Sequence, residues 1–128
     1  MKYFWIALGG SLGALLRYGL SGIFQNLINS DFPLGTLSVN LIGAFVIGFF
    51  WTAVQSRIEP FPHFNLFLFT GIIGAFTTFS TYTLETLNLV RINEWKLALW
   101  NIFLTNILGL LLVFAGIVSF QFIVKLFK

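Results

Sequence analysis

Charge is what this sequence has least of. Only 9% of its 128 residues are Asp, Glu, Lys or Arg, against a hydrophobic share of 58%. A soluble domain is about a quarter charged, so the chain lacks the polar surface that would clothe a globule in water. Cysteine is absent, which excludes disulfides, thiolate metal sites and a cysteine nucleophile. The single histidine, His63, stands beside Pro62. No hydroxyl therefore has an imidazole base at motif spacing, and an enzyme is not expected. The net charge is +3, but Lys2, Arg17, Arg57, Arg91, Lys96, Lys125 and Lys128 are scattered singly. Without a basic run there is no phosphate-tracking patch, so no nucleic-acid partner is expected.

What is present is apolar sequence in long runs. At about 1.5 Å rise per residue, a membrane-spanning helix needs roughly 20 mostly apolar residues. Four segments meet that length, at about 3–28, 34–56, 64–90 and 97–124. Asn29-Ser30-Asp31-Phe32-Pro33 reads as a tight turn, Arg57 to His63 as a loop with Pro60 and Pro62, and Arg91 to Lys96 as a short polar link. The start, Met1-Lys2 and an apolar stretch, has the look of a signal peptide. Arg17 falls where a cleavage region would lie, however, and the rest of the chain is equally apolar. The segments do not alternate as barrel strands do. The expectation is one domain over residues 1–128, an all-α multi-pass protein of the cell membrane.

Four spans put both termini on one side, with Lys2, Arg57, Lys125 and Lys128; Arg91 and Lys96 lie on the other. That weak bias favours termini in the cytoplasm and leaves insertion in both orientations open. Small residues recur four apart, in Gly9 with Gly13, Gly10 with Ala14 and Ala44 with Gly48. Such pairs let helix backbones meet, within one subunit or between two.

Polar residues at membrane depth are the informative ones. A central arginine costs about 2.5–3.5 kcal/mol to insert, so Arg17 pairs with Glu85, faces a wet cavity or snorkels to an interface. Asn40 is either an interhelical hydrogen-bonding group or part of a pathway. Asn101 and Thr105 are one turn apart and share a face, whereas Asn106 points elsewhere. The third span holds the strongest signal, from Thr70-Gly71 through Gly74 to Thr77-Thr78-Phe79-Ser80-Thr81-Tyr82-Thr83. Gly74 weakens a helix, and hydroxyls can bond to the backbone of a broken one. Breaks at mid-membrane expose carbonyls that suit a hard cation. A continuous helix with a Ser/Thr-rich interface is the alternative. Phe79 and Tyr82 share a face; their positive ring edges would favour a small anion in a pore, or else they are core or lipid-facing rings. Hydroxyls of Ser80, Thr81 and Thr105 could donate to the same anion.

At these residues the sequence resembles the small fluoride channel family, also called Fluc or CrcB proteins. The likeness runs almost end to end: Gly9-Gly10, Gly13-Ala14 and Arg17-Tyr18; Gly35-Thr36, Asn40 and Gly43; Thr70-Gly71, Gly74 and Thr77-Thr78-Phe79-Ser80-Thr81 with Glu85. The resemblance implies four transmembrane helices with a break in the third, assembled as an antiparallel, dual-topology homodimer or with a paired homologue. It implies passive conduction of fluoride out of the cytoplasm through two pores. By that likeness the Gly74 and Thr77 carbonyls hold a structural Na⁺ at the dimer centre, which is not transported. Phe79 is the first pore phenylalanine, Arg17 the vestibule arginine and Asn40 the pore asparagine. Ser80 and Thr81 belong to a hydroxyl track, with Thr105 as a further member and Glu85 as its acidic neighbour. Tyr82 departs from the pattern, standing where a second pore phenylalanine is often found. Two other classes compete: a small four-helix proton-coupled transporter, which would use Glu85, and a non-transporting scaffold subunit.

Overall fold

Hydrocarbon offers no water to a backbone amide, so each crossing segment must satisfy its own N–H and C=O groups. The computed structural model describes residues 1–56 and 58–127, and those residues are helical with no strand. Four helical spans are long and apolar enough to cross a membrane: Lys2–Gln25, Leu34–Gln55, Leu66–Arg91 and Trp95–Leu126. Leu15, Phe114 and Phe122 lie exposed on the outside of this bundle, a surface suited to lipid. Arg57 and Lys128, two of the four basic residues expected on the side of the termini, fall outside the described residues.

The span ends are set by specific capping groups. The first span stops at Gln25, three residues before the expected end. The Gln25 side chain reaches across the turn: its Nε2 donates to the Phe32 carbonyl at 3.1 Å and its Oε1 accepts from the Gly35 N–H at 3.0 Å. One carboxamide thus ties the loop and satisfies an N–H at the start of the second span. The third span ends in a Schellman turn with Asn93 left-handed at φ 62°. Its Asn93 N–H donates to Val90 O at 3.1 Å and its Glu94 N–H to Leu89 O at 2.9 Å. The fourth span can therefore begin at Trp95, two residues earlier than its hydropathy suggests.

Two spans are not uniform. The third runs as π-helix over Leu66–Ile73, as α-helix over Gly74–Phe76, and again as α-helix over Phe79–Arg91. Between the last two, Thr77 (φ −84°, ψ 156°) and Thr78 (φ −148°, ψ 116°) are extended. Gly74 itself is helical, at φ −61° and ψ −34°. The fourth span carries a π-helical stretch at Leu104–Leu108. Such wide turns are rare and gather at functional sites.

Glycine decides how closely the spans approach. The first span packs on the front part of the third, where a Cβ at Gly9 would overlap the Phe67 carbonyl oxygen and one at Gly13 the Ile72 carbonyl. The second packs on the fourth in the same way, with Gly48 against the Val113 carbonyl and Gly116 against that of Phe45. Gly9, Gly13 and Gly48 therefore serve packing within one chain, whereas Gly10 has nothing within 4 Å of its missing Cβ. Filling a close contact costs roughly 1–3 kcal/mol or more. Gly48→Val is expected to destabilise the detergent-solubilised protein by at least that much and Gly10→Ala to leave its fold intact, measured as loss of the monodisperse peak on heating.

Candidate functional site

The site grows from two consecutive residues, Thr77 and Thr78. An extended pair inside a membrane helix strands polar backbone groups, and side chains supply the missing partners. Asn40 of the second span does most of this. Its Oδ1 accepts from the Thr78 N–H at 2.8 Å, and its Nδ2 donates to the Thr78 carbonyl at 3.1 Å. The side chain behaves as a neighbouring strand would. The helix then restarts with Thr78 as N-cap, its Oγ1 accepting from the Thr81 N–H at 3.2 Å. A threonine hydroxyl at this position is a standard cap.

These bonds have a consequence for two carbonyls. In a continuous α-helix, the N–H of residue i+4 closes on the carbonyl of residue i. The amides that would serve Gly74 and Thr77 are those of Thr78 and Thr81, and both go to side chains instead. Gly74 lies on the exposed surface of the chain. Gly43 permits the second span to come this near, because a Cβ there would overlap Thr77 Cγ2. Among the described residues no three His, Cys, Asp or Glu side chains converge. A cation at this place would rely on neutral oxygens, the ligands of a hard ion.

Two cavities flank the extended pair, and Thr78 borders both. The smaller, about 290 Å³, lies between the second, third and fourth spans, with Asn40, Thr77, Phe79, Tyr82, Thr105 and Asn106 in its wall. The Phe79 and Tyr82 ring centroids are 5.7 Å apart, with planes inclined at 52°. Tyr82 is buried, whereas Phe79 is 77% exposed on the single chain. The larger cavity, about 860 Å³, opens beside the ends of the first and third spans and is bordered by Arg17, Thr36, Thr81, Glu85 and Asn88. Arg17 and Glu85 thus share a cavity, but the hydrogen bond to Glu85 comes from elsewhere. Thr36 Oγ1 donates to Glu85 Oε1 at 2.8 Å, and Oε2 is buried with no hydrogen-bond partner among the described residues.

Asn40, Thr77, Phe79, Tyr82 and Thr105 therefore meet at the smaller cavity, and Arg17, Thr81 and Glu85 at the larger. Gly74 and Ser80 border neither; Ser80 Oγ lies 3.3 Å from Thr78 Oγ1, on the outer side. Asn101 is buried and donates to Thr86 Oγ1 at 2.9 Å, so it ties the third span to the fourth. Several wall residues were not singled out from the sequence as site residues, Thr36 and Asn106 among them. Thr36 stood in the sequence only as part of the Gly35-Thr36 likeness, with no role attached. Asn106, expected to point away from Thr105, borders the same cavity, within the π-helical stretch at Leu104–Leu108.

The family model described as CrcB-like protein, Camphor Resistance (CrcB), matches residues 4–117. The chain belongs to the CrcB family. Its relatives include the fluoride-specific ion channel FluC of Parabacteroides distasonis, 43% identical over 128 residues, which covers 100% of this chain and 99% of the relative. The FluC of Desulforapulum autotrophicum is 47% identical over 117 residues, or 91% of this chain and 94% of the relative. That of Aquifex aeolicus is 43% identical over 113 residues, 88% and 91% respectively. These CrcB relatives carry the name of a channel and not of an enzyme, and four apolar spans make this member a multi-pass membrane protein.

Removing the Asn40 carboxamide strands both backbone groups of Thr78, at roughly 1–3 kcal/mol for each buried group left unpaired. Asn40→Ala is expected to lower the thermal unfolding midpoint in detergent sharply. Asn40→Asp, which keeps the acceptor and loses the donor, is expected to fall between Asn40→Ala and the parent protein.

Proposed function

We propose that this CrcB protein is a passive, fluoride-selective channel that lets fluoride leave the cytoplasm and so lowers its toxicity. The single observation that carries the reading is the pair of rings at Phe79 and Tyr82 set beside the Asn40-clamped extended residues, in a cavity shared with Thr105. A ring edge is the positive part of an aromatic quadrupole, and hydroxyl and amide donors replace water lost by a small anion. Arg17 in the wider cavity adds positive potential that raises the local concentration of anions. The names of the curated relatives point to the same ion. Hydrogen fluoride that crosses the bilayer loses its proton in a neutral cytoplasm, and the trapped anion then has an outward gradient to follow.

The channel is read as an antiparallel dimer. Phe79 and Gly74 lie on the outer surface of the single chain, and an inverted copy against this face would cover both. Lys2, Arg57, Lys125 and Lys128 on the side of the termini against Arg91 and Lys96 on the other make only a weak bias, which leaves insertion in both orientations open. The Gly74 and Thr77 carbonyls fit a Na⁺ ion, since the amides that would have occupied them are diverted. Two copies would present four such oxygens. When bound, the ion supplies a fixed positive charge that ties the two chains; it is not cargo. A proton-coupled transporter is the second reading, favoured by Glu85 Oε2, which is buried with no partner among the described residues.

Purified protein in liposomes, read with a fluoride electrode, is expected to release fluoride within seconds of voltage relief and to retain chloride. Retained fluoride from correctly folded protein contradicts the proposal, and efflux that tracks an imposed proton gradient favours the transporter. Phe79→Ile removes a ring edge worth about 1 kcal/mol. It is expected to slow fluoride efflux roughly fivefold while the dimer stays intact on size exclusion.

A further inference from the structure

Tyr82 and Asn106 both line the smaller cavity, and the Tyr82 hydroxyl is met by Asn106 of the fourth span. The Asn106 Nδ2 donates to the Tyr82 hydroxyl oxygen at 3.2 Å and to the Ile102 carbonyl at 2.7 Å. The second bond fixes the orientation of the carboxamide. A carbonyl only accepts, so the group facing Ile102 is the NH₂, and the same NH₂ faces Tyr82. The tyrosine hydroxyl is therefore the acceptor of that pair. Its own proton meets no acceptor among the described residues. Tyr82 is nonetheless 8% exposed, and a buried donor without an acceptor is rare enough to require a partner. Tyr82 shares its cavity wall with the exposed ring of Phe79 and with Asn40.

We propose that the Tyr82 hydroxyl, oriented by Asn106, is an anion-binding donor in the smaller cavity and sets the affinity of this chain for fluoride. The inference rests on the channel reading and deepens it. By donating to the phenol oxygen, Asn106 makes the O–H a stronger donor and turns its proton away from the fourth span. An O–H donated to an anion is shorter and stronger than a neutral bond, and fluoride is small enough to sit against both the hydroxyl and a ring edge. Asn106 is a positioning residue: both of its N–H groups are engaged with protein, so it acts on the anion through Tyr82. It lies within the π-helical stretch at Leu104–Leu108.

The test is the initial rate of fluoride efflux from liposomes as a function of fluoride concentration. Tyr82→Phe keeps the ring and removes only the hydroxyl. It is expected to raise the half-saturating fluoride concentration at least about tenfold, the effect of one hydrogen bond to a charged group. Asn106→Leu is expected to raise it by a smaller factor. The double variant should match Tyr82→Phe alone, because Asn106 has no route to the anion except the hydroxyl. An unchanged half-saturation in Tyr82→Phe overturns the proposal, as does a double variant whose effects multiply. If Tyr82→Phe does not assemble, Asn106→Leu alone decides, since unchanged half-saturation there removes the pair from the pathway. Parent protein that conducts no fluoride defeats the channel reading itself, whereas parent conduction with unaltered affinity in the variants defeats only the Tyr82–Asn106 assignment.

Discussion

One carboxamide holds the architecture of the site together. An unwound residue in hydrocarbon leaves polar groups that no solvent can reach, each at a cost of several kcal/mol. Asn40 removes that cost at Thr78 by meeting its N–H and its carbonyl at 2.8 and 3.1 Å. The Thr78 hydroxyl then caps the helix that follows. With these bonds in place, the third span can be extended for two residues and resume at Phe79. The diverted amides, the orientation of Phe79 and Tyr82, and the two cavities on either side all depend on this pairing. Gly43 is its steric counterpart, because a side chain there would push the second span off Thr77.

Around this point the chain divides its work. Gly9 and Gly13 lock the first span to the front of the third, and Gly48 and Gly116 lock the second to the fourth. Those close contacts are backbone against backbone, the tightest packing available to helices without a hydrophobic driving force. The polar residues are concentrated where the third span passes between the other three. Thr36 and Glu85 face the larger cavity, and Tyr82 and Asn106 the smaller. The outer face near Gly74 and Phe79 is left open by a single chain, which is the surface the proposed inverted copy would occupy.

Much of the fold could be read from hydropathy, because a bilayer imposes length and apolarity so directly. The four spans follow from that constraint, and the turn at Asn29–Pro33 from its Asn, Ser, Asp and Pro residues. Their exact ends did not, since they depend on long-range or geometric caps such as the Gln25 carboxamide and the left-handed Asn93. The smaller cavity gathers Asn40, Phe79, Tyr82 and Thr105, all chosen from residue type and resemblance. Asn106 escaped because an ideal helical wheel turns it away from Thr105, and no sequence rule placed a π-helical stretch there. Thr36 was quoted in the likeness without a role, because one threonine in an apolar helix looks like any other until its partner, Glu85, is known. Ser80, like Phe79, is exposed on the single chain, and it borders neither cavity.

The central claim is that the extended pair at Thr77–Thr78 is a built feature whose outer face meets a second chain. An experimental density map of the protein in a lipid nanodisc tests it most directly. The account predicts helix three interrupted at Thr77–Thr78, Asn40 paired with the Thr78 backbone, and Phe79 covered by an inverted copy. A third helix continuous through Thr78, with Phe79 packed against lipid, would contradict it.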